Sequence, residues 1–85
     1  LSFLLVPSIP CFPDYAPDLS RDDLDLLKIQ NPESLVMYNI VTMRDGGKAT
    51  ANLKGPVLCN KDAGIGAQFV AKNASEFAVD QPLPL

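Results

Sequence analysis

Pro7, Pro10, Pro13 and Pro17 constrain this chain more than any other feature. Each fixes φ near −65° and withholds an amide donor, so the stretch from 7 to 17 is expected to be neither a central strand nor a helix. The prolines alternate with Ile9, Cys11, Phe12 and Tyr15. That alternation predicts an irregular connector pinned to a core by its apolar side chains. Ahead of it, Ser2 to Val6 reads as a strand. Pro7 and Pro10 end the apolar run far short of the ~20 residues that span a bilayer. The run lacks the basic leader and small-residue cleavage site of a signal peptide. Because the sequence starts at Leu1 inside this strand, a fragment truncated on its N-terminal side is expected. The resulting unpaired edge near Leu1 to Val6 would favour self-association by strand exchange or edge pairing.

A short helix follows, with the most complete local code in the chain. Ser20 is an N-cap residue, and Asp23 three positions on can complete a capping box. Leu19 and Leu24 suit a hydrophobic staple. Leu24 and Leu27 share an apolar face, while Asp22, Asp25 and Lys28 point to water. The helix is expected over about 20–28, stopping before Asn31-Pro32.

The rest reads as strands and turns. Leu35 to Met43 is rich in apolar and β-branched residues, with Asn39 and Thr42 as its polar members, and predicts a strand buried on much of both faces. Asp45-Gly46-Gly47 offers the positive φ of a tight hairpin turn. Return strands are expected at 48–53 and 57–59, with a turn at Ala63 to Gly66 and a further strand over Ala67 to Ala71. The tail from Gln81 to Leu85 reads as extended. With 85 residues and 47% hydrophobic content, the chain suits one small globular domain over 1–85. The expected fold class is mainly β, an antiparallel β-barrel-like domain with one short helix.

Composition also excludes chemistry. There is no histidine, the usual base behind a Ser or Cys nucleophile, and no Cys-x-x-Cys. Asp22, Asp23 and Asp25 are explained by a helix start rather than by an acid–base pair. Gly64-Ile65-Gly66 lacks the third glycine and following helix of a phosphate loop. Asp45-Gly46-Gly47 lacks the remaining ligands of a calcium loop. No catalytic residue, cofactor or metal site is expected, and the chain is read as non-enzymatic. Cys11 and Cys59 are too isolated to form a redox motif and are expected to be free thiols of a reducing cytosol.

Charge is unevenly distributed. Residues 14–33 hold six acids against Arg21 and Lys28, a local net of −4, whereas the rest of the chain nets +1. An acidic field repels phosphate backbones and suits a basic protein partner. Direct nucleic-acid binding on exposed aromatics is therefore not expected, and the interrupted apolar run at Pro7 and Pro10 leaves no membrane-bound role expected either.

Two stretches together resemble the flagellar assembly factor FliW family. The first is Phe3-Leu4-Leu5-Val6 followed by Phe12-Pro13-Asp14-Tyr15-Ala16-Pro17-Asp18-Leu19. The second is Leu35 to Met43 followed by Thr50-Ala51-Asn52-Leu53-Lys54-Gly55-Pro56-Val57, with Gln68-Phe69-Val70 after it. The resemblance covers most of the chain in order, matching the C-terminal part of the family. It implies an antiparallel β-barrel-like fold. It also implies a cytoplasmic regulator that binds the RNA-binding protein CsrA and, alternatively, flagellin, so that secretion of flagellin frees it to sequester CsrA and relieve repression of flagellin translation. The tail Ala78 to Leu83 departs from the basic, then His-Pro ending associated with the family.

The expected partner surface is Phe12, Asp14, Tyr15 and Asp18 on the connector, Asp22 and Asp25 on the helix, and Asn52 and Lys54 in the second segment. The competing reading makes Phe12 and Tyr15 core plugs and the acids mere solubilising groups. A reading from another class is a small structural β-barrel serving as scaffold in a larger assembly.

Overall fold

A computed structural model describes residues 4–83. The expected strand at 2–6 is seen as β1, Leu4–Pro7; Ser2 and Phe3, like Pro84 and Leu85 of the tail, lie outside the described residues. β2 (Leu35–Met43) is the organising strand, with the boundaries its composition predicts. It is followed by β3 (Ala49–Ala51), β4 (Val57–Asn60), β5 (Ile65–Gln68) and β6 (Gln81–Pro82). All pairings are antiparallel.

The sheet runs β5-β4-β2-β3-β6, with β1 also paired to β2. Val41 faces Leu4 on one side and Ala51 on the other, and Tyr38 faces both Pro7 and Val57. A strand has only two edges, so β1 occupies one edge of β2 while β3 and β4 share the other. The β3 and β4 ladders differ in register by three positions, and the excess is absorbed by a loop over 52–56. The architecture is thus mainly antiparallel β. The sheet is open rather than closed, because β5 and β6 at its two ends do not pair with each other.

The connector departs from expectation at one point. Ser8–Cys11 makes a single helical turn, α1, closed by Phe12 N–H donating to the Ser8 carbonyl at 2.8 Å. Pro10 is compatible with it because amides in a first turn have no intrahelical acceptor to lose. Further along, β5 begins two residues earlier than the expected strand over Ala67 to Ala71. Gly64, at φ 70°, reverses the chain early enough for Ile65 to pair with Asn60.

The predicted helix is α2, Arg21–Leu26, shorter than 20–28. Ser20 Oγ accepts from Asp23 N–H at 3.0 Å, the cap its sequence promised. Leu27 is the buried member of the apolar face at 4% exposure, whereas Leu24 is half-buried. The C-terminus ends in a Schellman arrangement: Ile29 N–H donates to Leu24 O and Lys28 N–H to Asp25 O, both at 3.0 Å. Lys28 holds the left-handed position at φ 58° that glycine would fill without a Cβ penalty. Ser20→Ala is therefore expected to cost about 0.5–2 kcal/mol. Lys28→Gly should stabilise the fold by about 1 kcal/mol. Urea titration of both variants checks this, and a destabilised Lys28→Gly would refute the strain at that cap.

Tyr15, Val41, Ala51 and Leu53 form the buried cluster, with Val6, Phe12, Met37, Ala49, Phe77 and Leu83 packed around it. Asn60 ties α2 to the sheet. Its Nδ2 donates to the carbonyls of Leu27 (2.9 Å) and Lys28 (3.2 Å), and its Oδ1 accepts from the amides of Asp62 and Ala63. Helix-end carbonyls that no intrahelical donor can reach are thereby satisfied. Cys11 and Cys59 are both free thiols. No helix among the described residues is long and apolar enough to cross a membrane.

Candidate partner-binding surface

The connector is held against the sheet by polar contacts its composition did not reveal. Tyr15 N–H donates to Phe12 O at 3.0 Å, turning the chain so that the Tyr15 ring enters the core at 6% exposure. Its hydroxyl donates to the Leu53 carbonyl at 2.5 Å. Its ring meets Phe77 edge-on, with centroids 4.9 Å apart and planes at 79°. Burial raises the Tyr15 phenol above its ordinary pKa, and the neighbouring Asn39 side chain pulls it part of the way back. Downstream, Asn73 clamps the connector: its Oδ1 accepts from Asp18 N–H at 2.7 Å and its Nδ2 donates to Ala16 O at 3.2 Å.

Phe12, Asp14 and Tyr15 are brought together on an open, mostly apolar groove of about 500 Å³, completed by Leu53, Phe77 and Leu83. Tyr15 is a core residue that forms its floor, Phe12 is half-buried in its wall, and the Asp14 side chain is exposed. Asp18 is exposed beyond the groove. Asp22 and Asp25 are exposed on α2 and do not line it. Asp25 lies 3.3 Å from Arg21 in an exposed i,i+4 pair, which partly offsets its charge.

Asn52 and Lys54 are half-buried in the 52–56 loop. Asn52 Oδ1 accepts from the amides of Lys54 (3.0 Å) and Gly55 (3.3 Å), an Asx-type closure that shapes the loop. Its amide donates to Ile40 O at 3.0 Å. The Asn52 side chain is thus engaged in holding its own loop, which leaves Lys54 as the charged group of that segment.

Asn39 is the residue that reading by motif passed over. It is fully buried at 0% exposure, accepts from Ser8 Oγ at 2.6 Å, and donates from Nδ2 to Asn52 O at 3.0 Å. The signal was an amide inside an otherwise apolar strand, since a buried polar side chain demands partners. The identity of those partners was not readable. Among the described residues no group of three or more His, Cys, Asp or Glu side chains could hold a metal ion.

Fold and surface together define a class: a small, mainly antiparallel β domain with a proline-stiffened, acidic connector folded onto its sheet. The chain belongs to the FliW family, whose model, described as FliW protein, matches residues 1–83. It is similar to the flagellar assembly factor FliW of Moorella thermoacetica, 39% identical over 72 residues, which covers 82% of this chain and 46% of that protein. The FliW of Natranaerobius thermophilus is 34% identical over 85 residues, covering 98% of this chain and 56% of its own. A crystal structure of the flagellar assembly factor FliW superposes with a TM-score of 0.79 at 28% identity, covering 94% of this chain and 55% of that one. The chain spans about half the length of the curated relatives it matches.

Proposed function

We propose that this chain is the C-terminal part of a non-enzymatic, cytoplasmic flagellar assembly factor. It binds the translational regulator CsrA and, alternatively, flagellin, and thereby controls flagellin translation. The observation that carries the reading is membership of the FliW family across residues 1–83. It is supported by the connector, which presents Asp14 and Asp18 to solvent beside a largely apolar groove. An apolar patch rimmed by like charge suits a partner with complementary basic residues, because apolar burial holds the complex while the field speeds encounter. The proposed contact set is Phe12, Asp14 and Asp18 on the connector, Asp22 and Asp25 on α2, and Lys54 with Asn52 on the loop. Tyr15 acts from beneath by holding the connector in place.

The test is charge reversal in the full-length protein. Asp14→Lys combined with Asp18→Lys is expected to slow association with CsrA about tenfold at low salt and to flatten its salt dependence. The fold should survive, because both side chains are exposed and neither carboxylate makes a hydrogen bond or ion pair among the described residues. Surface-plasmon kinetics at several ionic strengths would measure this. An unchanged on-rate and salt slope in the folded variant would remove the acidic steering. Failure of the unmodified protein to bind either CsrA or flagellin would remove the functional reading itself.

A further inference from the structure

The two segments that mark the family lie far apart in sequence, yet they are joined inside the protein by a small polar cluster centred on one side chain. Asn39 projects from the middle of β2 and is completely buried. Its Oδ1 accepts a hydrogen bond from the hydroxyl of Ser8, which is itself 0% exposed at the start of the connector. Its Nδ2 reaches the carbonyl of Asn52, the first residue of the 52–56 loop. Tyr15 makes a second bridge between the same two segments, donating to Leu53 O next to the Asn39 acceptor. Every bridge runs from connector to loop directly or through Asn39.

We propose that Asn39 is a positioning residue that joins the connector (8–15) and the 52–56 loop into one cooperative unit, so that the parts of the partner surface these two segments carry are ordered or lost together. The relevance to binding rests on the partner-surface reading above; the coupling itself does not. The physical reason is satisfiability. In a low-dielectric interior, an amide whose donor and acceptor serve two different segments cannot release one without stranding a polar group of the other. The loop is also the place where the ladder along β2 is interrupted: its backbone is held by separate bonds, Asn52 N–H to Ile40 O, Leu53 N–H to Ala78 O and Phe69 N–H to Pro56 O, rather than by the continuous strand pairing that protects β4. The connector contains Pro10 and Pro13, which have no amide to donate, and its own backbone bonds are two local turns, Phe12 N–H to Ser8 O and Tyr15 N–H to Phe12 O. Two weakly paired segments sharing one buried amide are expected to open together.

Native-state hydrogen exchange on the full-length protein tests this. Asn39→Ala is expected to accelerate exchange of the Phe12 and Tyr15 amides in the connector and of the Lys54 and Gly55 amides in the loop by at least about tenfold. The amides of the β4–β5 hairpin should keep their protection. Asn60→Ala serves as the control: it removes another buried asparagine, one that holds Leu27, Lys28 and the 62–63 turn, and should leave connector and loop protected. If Asn39→Ala unfolds the whole chain, Ser8→Ala, which removes the donor to Asn39 Oδ1 and leaves β2 intact, replaces it with the same expected pattern. Acceleration confined to one segment, or a uniform increase that includes the hairpin in both variants, would overturn the proposal. Because exchange is read without a partner, this outcome is separate from whether CsrA or flagellin binds.

Discussion

Leu58→Ala is expected to lower the unfolding free energy by about 2–5 kcal/mol. Leu58 sits at 0% exposure in the middle of β4, paired with Met37 of β2 and Ala67 of β5. Its removal withdraws apolar burial and leaves a cavity between strands whose backbones are fixed by pairing on both sides, so the site cannot collapse to fill it. In a domain of this size each kcal/mol moves the midpoint by roughly 4–8 °C, so a drop of about 10 °C or more should appear in a thermal melt. Met43→Ala is the matched control. Met43 is 57% exposed at the end of β2 and should change stability by no more than about 0.5 kcal/mol. Equal effects from the two substitutions would contradict this placement of the core.

Tyr15→Ala is expected to cost about 3–5 kcal/mol, the range for removing a buried aromatic ring. It would also abolish the edge-on contact with Phe77 and free the connector from Leu53. Tyr15→Phe separates the two contributions. It keeps the ring but leaves the Leu53 carbonyl without its donor, for about 1–3 kcal/mol. The pH dependence follows from the raised phenol pKa. Burial favours the neutral hydroxyl in the folded state, so its contribution is complete below the unfolded value of about 10. It is lost as pH rises through the higher folded value. The stability gap between the parent and Tyr15→Phe should accordingly narrow as pH climbs above about 10. Denaturant midpoints measured at neutral pH and at alkaline pH would show this. A gap that stays constant would mean that the hydroxyl is not held in the interior as described.

Tyr15 also shows where reading from sequence reached its limit. The alternation of prolines with Ile9, Cys11, Phe12 and Tyr15 was enough to predict a connector pinned to the core. It could not say which aromatic is the pin, since that depends on the turn made at Phe12 and on Leu53 lying opposite. The acids were legible as a surface in the same partial way. Asp14, Asp18, Asp22 and Asp25 are all exposed, but only Asp14 joins the groove. The helix and the groove are assembled from separate parts of the chain.

What the sequence determined by itself is local. Ser20 and Asp23 set the helix start, because a cap is a bond between residues three apart. The run Leu35–Met43 set the long strand, and Gly46 and Gly47, at φ 79° and 77°, set the turn after it. Tertiary structure decided the rest. It left the sheet open, placed β3 and β4 on one edge of β2 with a loop between them, and chose Asn39 as the point where connector and loop meet. The reason is the range of the forces. Capping and turn chemistry are satisfied within a few residues, whereas a buried amide or a strand edge is satisfied by whatever the fold brings to it. Ser8 and Asn52 lie 31 and 13 residues from Asn39, and nothing local names them as its partners.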